Sequence, residues 1–149
     1  MERGARESQE ARIARLEAES EILRALFRYC QYMDSRSHKR WVALFASDGV
    51  LDVRYRSRNR SLNHRERGHK ALEKWVIGYS SRRPAPQRHM LTSPVVEVRG
   101  NTATAASYFA TLDEYDEGPR VVASGLYKDR FAQERGRWVI KERRVEVAL

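Results

Sequence analysis

The chain has 149 residues, 41% hydrophobic and 33% charged, a balance that fits one globular domain over 1–149 and excludes a disordered chain. Its formal charge of +9, from 29 Lys and Arg against 20 Asp and Glu, favours acidic partners or substrates. The single cysteine, Cys30, excludes an internal disulfide framework and argues against a thiolate metal cluster.

The opening stretch MERGARESQEARIARLEAES is polar and lacks the apolar segment of a secretory leader. No apolar run approaches the roughly 18 residues that span a bilayer. One unpaired thiol suits a reducing, cytoplasmic setting. Residues 7–34 read as one long helix or two joined helices. Ile13, Leu16, Leu23, Leu26, Phe27, Cys30 and Met33 recur at helical spacing and form the expected inner stripe. Residues 1–12 carry little apolar surface and are expected to fray.

Ser35 to Ser37 interrupts that helix. HKRWVALF (38–45) follows as a short helix with Trp41, Leu44 and Phe45 inward. Ser47-Asp48-Gly49 signals a stop and turn. Val50 to Tyr55 alternates as a strand, and Asn59 to Arg67 is a weaker second strand. Gly68 opens a third helix, HKALEKWVIGY, with Leu72, Trp75, Val76 and Tyr79 on one face.

Arg82-Arg83-Pro84-Ala85-Pro86 must be a loop. Four strands follow: Arg88 to Val98, Thr102 to Leu112, Arg120 to Phe131 and Arg137 to Val147. Turn signals at Gly100-Asn101, Gly118-Pro119 and Arg135-Gly136 separate them and indicate an antiparallel meander. Pro94 demands a bulge or an edge position. Helices segregated to one side of such a sheet make an α+β domain.

Four phrases carry a resemblance that covers about Glu21 to Val147. The first, FRYCQYMDSRSHKRWVALFASDGVLDV, holds Tyr29, Asp34, Phe45, Asp48 and Gly49. The others are GHKALEKWV, RHMLTSPVVEV and GLYKDRFAQERGRWVIKERRV. In this order the chain resembles the SnoaL-like branch of the nuclear transport factor 2 superfamily. The resemblance implies a cone: a curved, largely antiparallel sheet wrapped against three helices around a pocket. It also implies kinship with dehydratases, a dehydrochlorinase and polyketide cyclases. The small subunits of ring-hydroxylating dioxygenases share the fold without doing chemistry, and they supply the alternative reading.

Spacing alone leaves Asp34 as a helix-end cap or a functional acid, and His89 as a structural or a reactive imidazole. The resemblance implies that they pair, with Asp34 orienting His89 and His89 moving a proton. The implied chemistry uses no cofactor and no metal. It is elimination or dehydration, isomerisation or cyclisation of a small apolar, aromatic or polycyclic substrate. Tyr29 either polarises a substrate oxygen or fills the core. Tyr32, Tyr55, Tyr108 and Trp41 are further candidate substrate contacts. Arg143 matches a pocket arginine that stabilises a leaving group, and the plainer alternative is an exposed strand arginine. The strand Thr102 to Leu112 carries no histidine, which departs from one dehydratase pattern. A homodimer or homotrimer is also implied.

His38, His64 and His69 read as peripheral, with no zinc-like spacing. No phosphate loop, dinucleotide fingerprint or nucleophile elbow is present. Arg54, Arg56, Arg58 and Arg60 share one face if that stretch is extended. They read as solubilising charge in preference to a nucleic-acid stripe, because no aromatics interleave.

Overall fold

The computed structural model describes residues 6–56, 60–83 and 86–148. Helix α1 runs Gln9–Asp34, and the Ser8 hydroxyl caps it by accepting the Ala11 N–H at 3.1 Å. Residues 9–12, expected to fray, are therefore helical, and residues 1–5 lie outside the described residues. The buried side is Ala18, Ile22, Ala25, Leu26, Tyr29, Cys30 and Met33. It is rotated from the expected stripe, and Ile13, Leu16 and Phe27 are about half exposed. Alanines at 18 and 25 let the helix approach the sheet closely, so the face with small residues wins over the face with larger ones.

Helix α2 is only His38–Val42, with Trp41 fully buried. Strand β1 spans Phe45–Tyr55 and so starts earlier than expected. The Ser47-Asp48-Gly49 signal is absorbed as a bulge inside it. Phe45 pairs with Ile140 and Val50 with Glu142, so residues 46–49 stand against Lys141 alone. A Cβ on Gly49 would come within 2.9 Å of the Ala46 and Ile140 carbonyl oxygens, which explains the glycine.

A short 3-10 turn, Arg60–Leu62, precedes strand β2, His64–Arg67. The expected second strand is thus shorter, and Asn59 lies outside the described residues. Helix α3 is His69–Ser81. Strands β3 (Gln87–Arg99), β4 (Thr102–Tyr115), β5 (Gly118–Glu134) and β6 (Arg137–Val147) complete the chain. The sheet order is β2-β1-β6-β5-β4-β3. The β1–β6 pairing is parallel and every other is antiparallel, so the curved sheet is mixed and mostly antiparallel. The helices lie on one face, α1 against β3 and α3 against β1 and β2. This is the expected α+β fold.

Both readings of Pro94 hold: β3 is an edge strand, and Ser93-Pro94 forms a bulge opposite Ser107. The extra residue changes the phase of the strand. Leu91 before the bulge and Val96 and Val98 after it all pack on the core. His89 shares the inward phase of Gln87 and Leu91. Among the described residues, no helix is long and apolar enough to cross a membrane.

Candidate active site

Asp34 is the last residue of α1. That end of a helix carries partial negative charge and disfavours a carboxylate. Strand β3 offsets the penalty. The backbone N–H of His89 reaches both Asp34 oxygens, at 3.1 and 3.0 Å, and the ring Nδ1 lies 2.6 Å from Oδ1. An ionised carboxylate only accepts, so Nδ1 carries the proton and Nε2 presents its lone pair. The His89 side chain is 7% exposed and that of Asp34 25%.

The next hydroxyl is that of Tyr79 on α3. It donates to Gln87 Oε1 at 2.9 Å and lies 3.4 Å from His89 Nε2. Gln87 in turn donates to Asp113 at 2.6 Å. Because the Tyr79 proton is directed at Gln87, its oxygen is left to accept from a protonated Nε2. Tyr79 is largely buried, which raises its pKa and keeps it a neutral phenol.

His89 and Tyr79 open on a cavity of about 520 Å³. Leu51, Val53, Phe109, Val145 and Val147 make its apolar wall. Tyr29, Tyr55 and Tyr127 add phenols to it. A larger hollow of about 680 Å³ runs along α1 and β6, but it contains neither Asp34 nor His89. We take the smaller one as the site, because a titratable pair meets an apolar wall there.

The sequence pattern of the SnoaL-like domain matches residues 14–144. The chain belongs to the SnoaL-like family. Similar solved structures include a variant of Rv3472 from Mycobacterium tuberculosis, 25% identical with a TM-score of 0.75, covering 89% of this chain and 72% of that one. The β subunit of a putative aromatic-ring-hydroxylating dioxygenase from Novosphingobium aromaticivorans is 21% identical, with a TM-score of 0.74 and coverage of 95% and 93%. ActVI-ORFA from Streptomyces coelicolor is 18% identical, with a TM-score of 0.72 and coverage of 87% and 97%. The last two, below 25% identity, share the fold alone. No curated protein matches the chain.

Within this SnoaL-like domain the expected site residues separate into two groups. Asp34, His89, Tyr29 and Tyr55 come together at the cavity, Asp34 from behind His89. Trp41, Tyr32 and Tyr108 do not line it. Trp41 is fully buried against Tyr29 and Phe45, with ring centroids 5.4 and 5.0 Å away. Tyr32 is a half-buried residue at the edge of the core. Tyr108 is 58% exposed on the outer face of β4, because alternation turns Phe109 and Thr111 inward instead.

Arg143 is neither an exposed strand arginine nor part of the cavity lining. It is fully buried and bonds both oxygens of Asp129, at 2.7 and 2.8 Å. Its guanidinium sits 4.0 Å from the ring centres of both Tyr29 and Tyr127. Burial works against its charge, but Asp129 outweighs burial and the pKa is raised. Arg143 therefore holds the two tyrosine rings from behind the cavity wall.

His38 and His69 are ties between elements, to Ser80 Oγ at 3.0 Å and to the Phe45 carbonyl at 2.8 Å. His64 is not peripheral. It lines the cavity and stacks on Trp75, with centroids 5.4 Å apart. Burial lowers its pKa and outweighs the opposing pull of Glu66 and Asp52. A second cavity histidine thus arrives on β2, not on β4. His64 is the hairpin partner of Val53, and both line the cavity. Tyr79 and Trp75 were legible as one helix face but not as cavity wall.

The arginine stripe is not one extended row. Strand β1 ends at Tyr55, Arg60 begins the 3-10 turn, and Arg58 lies outside the described residues. Buried Asp52 gathers Arg54, Arg65 and Arg144 at 2.7, 3.4 and 3.4 Å. Among the described residues, no cluster of three His, Cys, Asp or Glu side chains has metal-binding geometry.

Proposed function

We propose that this SnoaL-like protein is a small-molecule enzyme working by general acid–base catalysis, with Asp34 and His89 as the proton-transfer pair. The observation that carries the reading is the Nδ1–Asp34 contact of 2.6 Å beside an apolar cavity of about 520 Å³. Asp34 fixes the tautomer, and His89 Nε2 takes a proton from carbon next to a carbonyl or leaving group. The imidazolium then donates to the Tyr79 oxygen until it returns the proton. In this reading Tyr29 and Tyr55, which line the cavity, polarise a substrate oxygen. The reaction is an elimination, isomerisation or cyclisation on a small apolar or aromatic body, and it needs no cofactor. A cytoplasmic homodimer or homotrimer fits this reading. A non-catalytic subunit, as in the dioxygenase complexes, has no use for an open cavity of this kind.

A probe that asks only for a base in an apolar pocket tests the proposal. In 5-nitrobenzisoxazole, removal of the ring C–H proton breaks the N–O bond and releases a coloured cyanophenolate. The protein is expected to accelerate this reaction. His89→Ala and Asp34→Asn are expected to lower the rate about 100-fold or more. Full activity in both variants rules out the pair.

A further inference from the structure

The cavity wall has a charge imbalance that proton transfer does not use. Arg82 and Arg83, at the C-terminal end of α3, line the cavity, and among the described residues no Asp or Glu does. Neither arginine has a carboxylate partner among the described residues. By contrast Arg54, Arg65, Arg130 and Arg144, on the sheet, are engaged by Asp52 and Glu142.

The two arginines are also held in place. The Arg83 guanidinium lies over the Tyr79 ring, 5.0 Å from its centre, and Arg36 donates to the Arg83 carbonyl at 3.1 Å. The Arg82 backbone N–H closes the last turn of α3 on Gly78 and Tyr79. His64 lines the same cavity, and its buried Nδ1 lies 3.5 Å from a Glu66 oxygen without a hydrogen bond to it. Arginine at a helix C-terminus also complements the helix dipole, which accounts for one cation there. It does not account for a second one stacked over a cavity tyrosine.

We propose that the substrate carries a carboxylate, bound by Arg82 and Arg83 with His64 at the same end of the cavity. The inference rests on the small-molecule reading above and adds the substrate's class: an apolar or aromatic body with an acidic head. Guanidinium forks match carboxylate oxygens in pairs. The head end is also close to the chemistry. The Tyr79 ring that carries Arg83 is centred 6.2 Å from the His89 ring. A carboxylate on Arg83 therefore leaves the adjoining ring of the substrate facing His89 Nε2.

Calorimetry with 2-naphthoate and its uncharged isostere 2-naphthamide tests this on the whole protein. The acid is expected to bind at least about tenfold more tightly than the amide. Arg82→Gln and Arg83→Gln are expected to abolish the preference for the acid over the amide, with a circular dichroism spectrum equal to the parent's showing that they fold. Equal affinity for the two compounds, or arginine variants that keep the preference, overturns the acidic head and leaves the cavity reading standing. If neither compound binds at millimolar concentration, both readings fall.

Discussion

At the scale of single residues, the site depends on a charge that never reaches the substrate. Arg143 and Asp129 are both fully buried side chains joined by two hydrogen bonds. A buried pair adds little net stability over an apolar pair of equal volume, but losing one partner strands the other charge. Arg143→Met or Asp129→Leu alone should cost about 3–5 kcal/mol in denaturant unfolding. The double variant should be less damaged than either single one. An Arg143→Met protein as stable as its parent would mean that Asp129 is not held by charge. Cys30 is the other buried titratable group nearby. Burial pushes its thiol up to about 11. It should therefore resist a disulfide reagent at pH 8 in the folded protein and react once unfolded. The sign for stability follows. As pH rises past 9, the unfolded thiol loses its proton first, so the folded state binds more protons and stability falls until about pH 11. A native thiol that reacts quickly at pH 8 would show that the α1 face opens.

At the scale of elements, the register shifts of the sheet decide what the sequence reveals and what it hides. Strand and helix identities follow from period and turn residues, and Pro94 even marks the β3 bulge. Register does not follow. Counting in strict register from the Arg135-Gly136 turn puts Glu142 across from Asp129. The irregularity at Arg130/Phe131 shifts the pairing by one and brings Arg143 there instead. The buried pair was invisible for that reason, although both residues stood in the motif. Asp34 and His89 were legible as a pair only through the family resemblance, since spacing left each open; one ends α1 and the other lies near the start of β3, so no strand register enters their contact. The cavity roles of His64, Arg82 and Arg83 depend on how β2 and the end of α3 fold over the sheet, which no local pattern encodes. Register also makes a glycine indispensable. Gly125 lies opposite Val147, and a Cβ there would overlap the Glu146 carbonyl. Gly125→Ala must force β5 and β6 apart, at about 3 kcal/mol or more. A thermal unfolding midpoint equal to the parent's would contradict that close approach.

At the scale of the molecule, the outer face of the sheet is divided. Over β1, β2, β5 and β6 it is a mesh of ion pairs, with Asp52, Glu142 and Glu146 meeting Arg54, Arg65, Arg130, Arg144 and Lys128. Over the middle of β3 and β4 and the start of β5 it is apolar, where Met90, Val95, Tyr108 and Val121 are each half exposed or more, with Arg88, Glu97 and Arg99 toward the ends of β3. Strand β4 presents Thr104, Ala106, Tyr108, Ala110 and Leu112 outward with no charge among them. A contiguous apolar area flanked by charge is what an interface between copies requires. The net charge of +9 works against association, so the contact has to be made where charge is absent. This is why the proposed homo-oligomer is placed on β3 and β4. A symmetric contact repeats each residue on both copies, so one substitution there introduces two like charges. Tyr108→Lys should therefore turn an oligomer into a monomer by light scattering after gel filtration, with an unchanged circular dichroism spectrum. Because Tyr108 lies outside the cavity, turnover of the benzisoxazole probe should survive in the monomer. An oligomer that persists in Tyr108→Lys, or a parent chain that is monomeric at micromolar concentration, would remove this face as the interface.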